Sequence, residues 1–191
     1  MRKTITQSVM GLKFKVKAGE FFQSNPHVLP SLIDHVCKQA VGPGDCRYLI
    51  DTYCGSGLFA LSSAGQFETV YGVEISALAI ASAKENAHIN NITNTQFLQG
   101  LSTAIFQTVS HLNPAQTVVV IDPPRKGCDD KFLTQLFAFR PKRLVYVSCD
   151  PSTQARDAMA IVASGYKIVD ITPFDLFPQT RHIENVISFT L

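Results

Sequence analysis

Asp51-Thr52-Tyr53-Cys54-Gly55-Ser56-Gly57 follows the apolar run Tyr48-Leu49-Ile50 and leads into Leu58-Phe59-Ala60-Leu61. Strand, glycine-rich turn and helix in that order form the place where an open α/β sheet binds a nucleotide. Gly55 and Gly57 lack a Cβ, so the backbone here can approach a ligand closely. The string Gly55-Ser56-Gly57-Leu58-Phe59-Ala60 also satisfies G-x-G-x-x-A, so the motif alone keeps nicotinamide and flavin enzymes as rivals. Glu74, closing Tyr71-Gly72-Val73-Glu74, is the acid expected to accept hydrogen bonds from a ribose diol, which suits either kind of cofactor.

Outward from this turn, short apolar runs alternate with helical stretches, the pattern of a mostly parallel sheet covered on both faces. Strands are predicted near Tyr48-Thr52, Thr69-Glu74, Thr95-Gln99, Thr117-Ile121, Arg143-Ser148, Lys167-Thr172 and Ile183-Thr190. Helices are predicted near Pro30-Ala40, Leu58-Ala64, Ala77-Asn90, Ser102-His111, Lys131-Phe137 and Ser152-Ala163. Gly42-Pro43-Gly44-Asp45 reads as the turn between the first helix and the first strand. The last two strands are joined through Phe174-Asp175-Leu176-Phe177-Pro178-Gln179 with no helix, which allows the final strand to run antiparallel. The expected fold is therefore α/β and Rossmann-like, seven-stranded and mostly parallel with an antiparallel last strand. That arrangement is typical of S-adenosylmethionine-dependent methyltransferases. Residues 1–20 form an N-terminal segment in which Gln7-Phe14 reads as a small hairpin, ahead of a domain over 21–191.

With 191 residues and 46% hydrophobic content, the chain suits one well-cored domain better than two. Its five cysteines, at 37, 46, 54, 128 and 149, are odd in number and include no C-x-x-C pair, so neither a disulfide framework nor a metal site is indicated. No run reaches the roughly 18 apolar residues of a membrane span, and Met1-Arg2-Lys3-Thr4 opens no apolar signal core. The expectation is an intracellular protein, cytoplasmic or nuclear, with no membrane and no metal partner. A formal charge of +2 does not establish nucleic-acid binding. Basic residues nevertheless crowd two segments, Lys3, Lys13, Lys15 and Lys17, then Arg125, Lys126, Arg140, Lys142 and Arg143. The plain reading of either cluster is solvated surface unless it borders a site.

Three further segments carry chemistry. Asp122-Pro123-Pro124-Arg125 after the fourth strand makes a rigid turn with few donors, and it leaves a carboxylate on the switch side of the sheet. Dehydrogenases have no general need of such a turn, whereas adenosylmethionine enzymes acting on nucleobases use it. Those that methylate exocyclic amines usually have an aromatic residue where Arg125 stands, which points to carbon as the target. Val147-Ser148-Cys149-Asp150-Pro151 puts a thiol at a strand end, where a nucleophile becomes the hypothesis to weigh against a buried structural cysteine. His182-Ile183-Glu184 adds a second carboxylate at the start of the last strand.

Taken together, these segments resemble the RNA (uracil-5-)-methyltransferases, which make 5-methyluridine in transfer and ribosomal RNA. The matching stretches are Phe21-Phe22-Gln23-Ser24-Asn25-Pro26, Asp51 to Gly57, Gly72-Val73-Glu74, Asp122 to Gly127, Tyr146 to Pro151, and Thr180-Arg181-His182-Ile183-Glu184. They occur in family order from about residue 11 to the end of the chain.

The resemblance implies that Cys149 is the nucleophile and Glu184 the general base. It implies that Gln23, Tyr53, Gly55, Glu74 and Asp122 line the cofactor and substrate cleft, with S-adenosyl-L-methionine as cofactor and RNA, tRNA foremost, as partner. Arg125 is a candidate to stabilise the thiolate. Plainer roles compete: Gln23 could cap a helix, Glu184 could lie on the surface, and His182 could orient Glu184 or pack beside it. Cys54 and Cys128 read as structural. Where many relatives carry an acid after the third strand, this chain has Gly100-Leu101-Ser102, which leaves Ser102 or a backbone group to serve there. The family's additional RNA-binding region is expected to be absent from this chain. Alternatives are a ribosomal RNA substrate and a noncatalytic fragment that binds RNA or adenosylmethionine.

Overall fold

The computed structural model describes residues 4–17, 19, 22, 23, 25–101 and 105–191. An N-terminal hairpin, β1 (Thr4–Val9) and β2 (Leu12–Lys17), precedes α1 (Leu29–Val41). There follow β3 (Tyr48–Asp51), α2 (Leu58–Ser63), β4 (Thr69–Glu74), α3 (Ala77–Ile89), β5 (Thr95–Gln99), α4 (Ile105–Thr108) and β6 (Thr117–Ile121). The chain continues with α5 (Asp130–Phe139), β7 (Arg143–Ser148), α6 (Pro151–Ala163), β8 (Lys167–Phe174) and β9 (Glu184–Thr190).

Strands β3 to β9 form one sheet in the order β5-β4-β3-β6-β7-β9-β8, parallel except for β9, which runs antiparallel to both its neighbours. The α/β class, the seven strands and the antiparallel last strand are as the sequence predicts. Two apolar layers sandwich the sheet. On one face α1, α2 and α3 pack through Leu32, Val36, Phe59, Leu61 and Ala83 against Val118, Val120, Val145 and Val147. On the other, α4, α5 and α6 bring Phe106, Phe132, Leu136 and Ile161 against Val119, Ile121, Leu144 and Tyr146. Alternate residues of β6 and β7 thus serve opposite cores, which is why both strands read as unbroken apolar runs.

The hairpin turns at Met10-Gly11, both at positive φ, as a two-residue loop between twisted strands requires. It is docked rather than free. Phe14 is fully buried in the α1 to α3 core together with Val9. The Asn90 amide exchanges hydrogen bonds with the backbone of Lys13, and the Asn86 amide does so with that of Lys15. Side chains four apart on a helix thereby meet residues two apart on a strand, extending the hairpin's pairing onto α3. Asn86 also donates to Ser56 O, at 3.1 Å, linking hairpin and glycine turn.

The helix expected over Ser102-His111 is described only from Ile105 and stops at Thr108; Ser102 lies outside the described residues. Strand β8 runs two residues past its predicted end, through Pro173, which an edge strand accommodates because one side of its ladder needs no N–H donor.

At Gly72, opposite Phe97 in the β4–β5 register, a Cβ would stand 2.6 Å from the Phe97 ring and 2.9 Å from Cys54 Sγ. Gly72→Ala should therefore lower stability by about 1–3 kcal/mol through overpacking. Gly65→Ala, with nothing within 4 Å of the new methyl, should fall within about 0.5 kcal/mol of the parent. Urea denaturation of the two variants makes the comparison.

Candidate active site

The carboxyl ends of the parallel strands open onto a cavity of about 780 Å³. It lies where strand order reverses, with β4 and β5 to one side of β3 and β6 and β7 to the other. All seven predicted site residues line it: Gln23, Tyr53, Gly55, Glu74, Asp122, Cys149 and Glu184.

The half formed by β3 and β4 is a cradle. Gly55 has φ +52 with no atom within 4 Å of where a Cβ would be, so this stretch of backbone faces open space. Glu74 ends β4 and accepts from Ser76 N at 2.9 Å and Gly55 N at 3.3 Å, which fixes its carboxylate beside the glycine turn. The Tyr53 ring rests on Phe132, with centroids 5.7 Å apart. Gln23 lines the cavity and is buried, and its Oε1 has no hydrogen-bond partner among the described residues. Gln23 does not cap α1: the turn before that helix is held by Asn25 Oδ1, which accepts from His27 N and Val28 N.

The other half is built by β6, β7, β9 and α6. The turn Asp122 to Cys128 is pinned to α6 at three points. Thr153 Oγ1 donates to Arg125 O at 3.0 Å, Arg156 Nη2 to Lys126 O at 3.0 Å, and Cys128 N to Asp157 Oδ2 at 2.8 Å. Cys149 follows β7 directly and is half-buried. Asp150 then caps α6, its Oδ1 accepting from Ser152 N and Thr153 N, with Pro151 in the first turn. The Asp150-Pro151 pair thus acts as a helix start that turns the chain sharply after the thiol. The β7–β9 ladder ends at Ser148↔Asn185, so Cys149 and Glu184 are the next residues beyond it on the two strands, near enough for the Glu184 charge to act on the thiol.

Burial dominates the electrostatics. It pushes Glu184 up to about 7 and Asp51 up to about 7, and it raises Asp122 well above the carboxylate range with help from Glu184 and Asp51. Burial also raises the Cys149 thiol, with the Glu184 charge adding to the effect, while the Arg125 guanidinium beside it pulls the other way. The thiol stays above its ordinary value, so Arg125 only partly offsets burial and the Glu184 charge. His182 meets Phe177 edge to face, with centroids 6.3 Å apart, and makes no hydrogen bond to Glu184 among the described residues.

Of the described residues in the basic clusters, only Arg125 and Lys126 border the cavity. Lys142 and Arg143 pair with Asp45, and Arg143 is buried against carbonyls ending α1. Lys15 pairs with Glu85, and Lys3 lies outside the described residues, as do Phe21 and Ser24 of the first motif. Asp51 is a residue the sequence reading gave no role. It is fully buried, accepts from Ala60 N at 3.1 Å through Oδ2, and leaves Oδ1 without a partner among the described residues. Its signal was an acid closing an otherwise apolar strand. Among the described residues no group of His, Cys, Asp and Glu side chains gathers to hold a metal ion, and no helix is long and apolar enough to cross a membrane.

Comparison with known proteins agrees with this architecture. The family model described as tRNA (Uracil-5-)-methyltransferase matches residues 2–190. The tRNA (uracil(54)-C(5))-methyltransferase of Schizosaccharomyces pombe is 42% identical over 199 residues, covering 98% of this chain and 38% of the relative. Its Saccharomyces cerevisiae counterpart is 41% identical, covering 97% of this chain and 30% of the relative. The crystal structure of Pyrococcus abyssi tRNA (uracil-54, C5)-methyltransferase with S-adenosyl-L-homocysteine superposes with a TM-score of 0.83 at 27% identity, over 98% of this chain and 44% of the other. The chain thus spans between 30% and 44% of the length of these relatives. With a match along nearly its whole length and a sheet ordered as in adenosylmethionine-dependent methyltransferases, the chain belongs to the tRNA (uracil-5-)-methyltransferase family.

Proposed function

We propose that this chain is the catalytic module of an enzyme that transfers a methyl group from S-adenosyl-L-methionine to carbon 5 of a uridine in tRNA. The observation that carries the reading is that Cys149 and Glu184, next beyond the last pair of the β7–β9 ladder, line the same cavity as the Gly55 and Glu74 cradle. Gly55 offers an approachable backbone, Glu74 an acceptor for a ribose diol and Gln23 an unmatched acceptor, so the residues present fit the cofactor. When bound, that cofactor supplies an electrophilic methyl on a sulfonium. The carboxyls of Asp51 and Glu184, raised to about 7, lose their protons more readily beside a cationic ligand than beside an anionic dinucleotide, so the site suits the former better.

Uracil carbon 5 is too weak a nucleophile to take the methyl unaided. The Cys149 thiolate adds to carbon 6, and the electron pair of the 5,6 double bond moves onto carbon 5 and the carbonyl oxygen at carbon 4. Carbon 5 then attacks the methyl, leaving a saturated ring bound through sulfur. Glu184 removes the proton from carbon 5, the double bond re-forms, and the bond between carbon 6 and sulfur breaks to return the thiolate. A base inside a folded RNA must leave its stack to reach Cys149. The position to test first is uridine 54, the nucleotide named for the relatives.

Calorimetry should show adenosylmethionine binding and none of NAD. Glu74→Ala should weaken the former about 10- to 100-fold, the range expected for losing a hydrogen bond to a charged group. Cys149→Ala should form no adduct with tRNA containing 5-fluorouridine on denaturing gels and should show no turnover. Glu184→Gln should still add to the base and receive the methyl, but lose about 10²- to 10⁴-fold in overall rate, so that methylated RNA stays attached to Cys149. Parent turnover in Cys149→Ala is the result that defeats the mechanism.

Because Glu184 must be a carboxylate and Cys149 a thiolate, kcat/KM should climb from pH 6 to 9. In the free protein, peptide-resolved alkylation of Cys149 at pH 8 should speed up about threefold or more in Glu184→Gln, which removes a like charge. It should slow in Arg125→Ala, which removes the opposing one.

A further inference from the structure

Gln154 lies in the first turn and a half of α6, outside the cavity wall, with 1% of its surface exposed. Its amide nitrogen donates to Tyr146 O at 2.8 Å and to Asn185 O at 3.0 Å, and its oxygen accepts from Asn185 Nδ2 at 2.7 Å. The orientation is unambiguous, since a flipped amide would set oxygen against two carbonyls. Both amide hydrogens are therefore committed, one to each of two adjacent strands.

Those strands need a clasp at this level. Strand β6 supports β7 only as far as Ile121↔Tyr146, whereas β9 pairs with β7 on to Ser148↔Asn185. Beyond Tyr146, the end of β7 that leads to Cys149 has a ladder on one side alone. Tyr146 is the last residue with support from β6, and Asn185 adjoins Glu184. Gln154 joins the carbonyls of these two residues from a helix whose cap, Asp150, adjoins Cys149. One side chain thus ties together the strand ending at Cys149, the strand beginning at Glu184 and the helix that follows the thiol.

We infer that Gln154 is a positioning residue, fixing the spacing between the Cys149 sulfur and the Glu184 carboxylate; the inference rests on the catalytic reading given above. That spacing matters at one step. Once the base is joined to sulfur at carbon 6, Glu184 must reach the proton on the neighbouring carbon 5. The carboxylate takes that proton, the freed electron pair makes the 5,6 double bond, and sulfur departs as thiolate. Addition of the thiolate precedes this step and does not use Glu184.

The test uses the full-length protein and Gln154→Met, which keeps length and apolar bulk but cannot bridge the strands. With ordinary tRNA, kcat should fall about 10- to 100-fold, the scale of an ångström-level misplacement, while KM for tRNA stays within about threefold. The covalent methylated intermediate should accumulate. With 5-fluorouridine tRNA, which has no proton to remove, the adduct should form at the parent rate. Asn185→Ala, which keeps both bonds of Gln154 to backbone, should give the same pattern in weaker form, and it decides the matter if Gln154→Met loses its cooperative thermal transition. A folded variant with parent kcat and no accumulated intermediate overturns the inference. So does one that slows formation and breakdown of the adduct alike. Failure of the parent to form any 5-fluorouridine adduct overturns the catalytic reading itself, and is seen before any variant is made.

Discussion

Asp157 sits in α6 with a side chain 1% exposed and accepts from three different parts of the molecule. Cys128 N, closing the turn that starts at Asp122, donates to Oδ2 at 2.8 Å; Tyr146 Oη in β7 donates to the same atom at 2.7 Å; Arg156 Nη2 donates to Oδ1 at 2.7 Å. A carboxylate taken out of water is costly unless its oxygens are satisfied, and here the cost is offset by donors from the turn, from β7 and from Arg156. The turn carrying Asp122 and Arg125 and the strand ending at Cys149 are thereby indexed to the same helix. Gly127 shows how closely they are drawn together, because a Cβ there would fall 2.6 Å from Asp157 Oδ2 and from Arg156 Nη2. Loss of this anchor would free the Asp122 turn from the thiol it faces, although neither Asp157 nor Tyr146 lines the cavity.

The cleft is a region of stored electrostatic cost. Asp51 and Glu184 have folded values near 7, above the ordinary carboxylate range, so protonation favours the folded chain. Their stabilising contribution is complete below about pH 4 and is lost as pH rises through about 7. Above about pH 7 these two buried carboxyls therefore weigh against stability. In the proposed reaction a cationic methyl donor enters among these acids and leaves as a neutral thioether. These carboxyls gain more from the sulfonium of the donor than from the thioether of its product, so charge helps to distinguish the two states of the ligand.

Much of this was legible in the sequence, for identifiable reasons. Strands β6 and β7 serve two cores at once and so appear as unbroken apolar runs. The glycine turn, Glu74, Asp122, Cys149 and Glu184 each stand at a strand end, where a break in apolar pattern marks them. What escaped were residues whose partners are distant in sequence. Gln154 and Asp157 lie within an amphipathic helix, and nothing local distinguishes a buried Gln bonded to Asn185, thirty-one residues on, from a solvated one. Asn86 and Asn90 likewise read as ordinary helix residues, and their pairing with β2 draws the segment before residue 21 into the core. The basic cluster at 140–143 was read from sequence as surface charge, yet Arg143 is internal, its guanidinium closing the end of α1.

The place of β9 in the sheet has a consequence for how the molecule comes to be folded. It follows β8 along the chain but lies between β7 and β8 in space, so β8 has no partner in the main sheet until β9 arrives. Every contact between β9 and β7 closes a loop of more than thirty residues, the kind of non-local pairing that forms late. Until then the flank of β7 is an open edge of Leu144, Val145, Tyr146 and Val147, an invitation to association with other chains. The nucleophile and the proposed base come together only in that final docking. A chain stalled before it has a glycine cradle but no catalytic pair, so chemistry that needs both groups appears only after the most aggregation-prone edge has been covered.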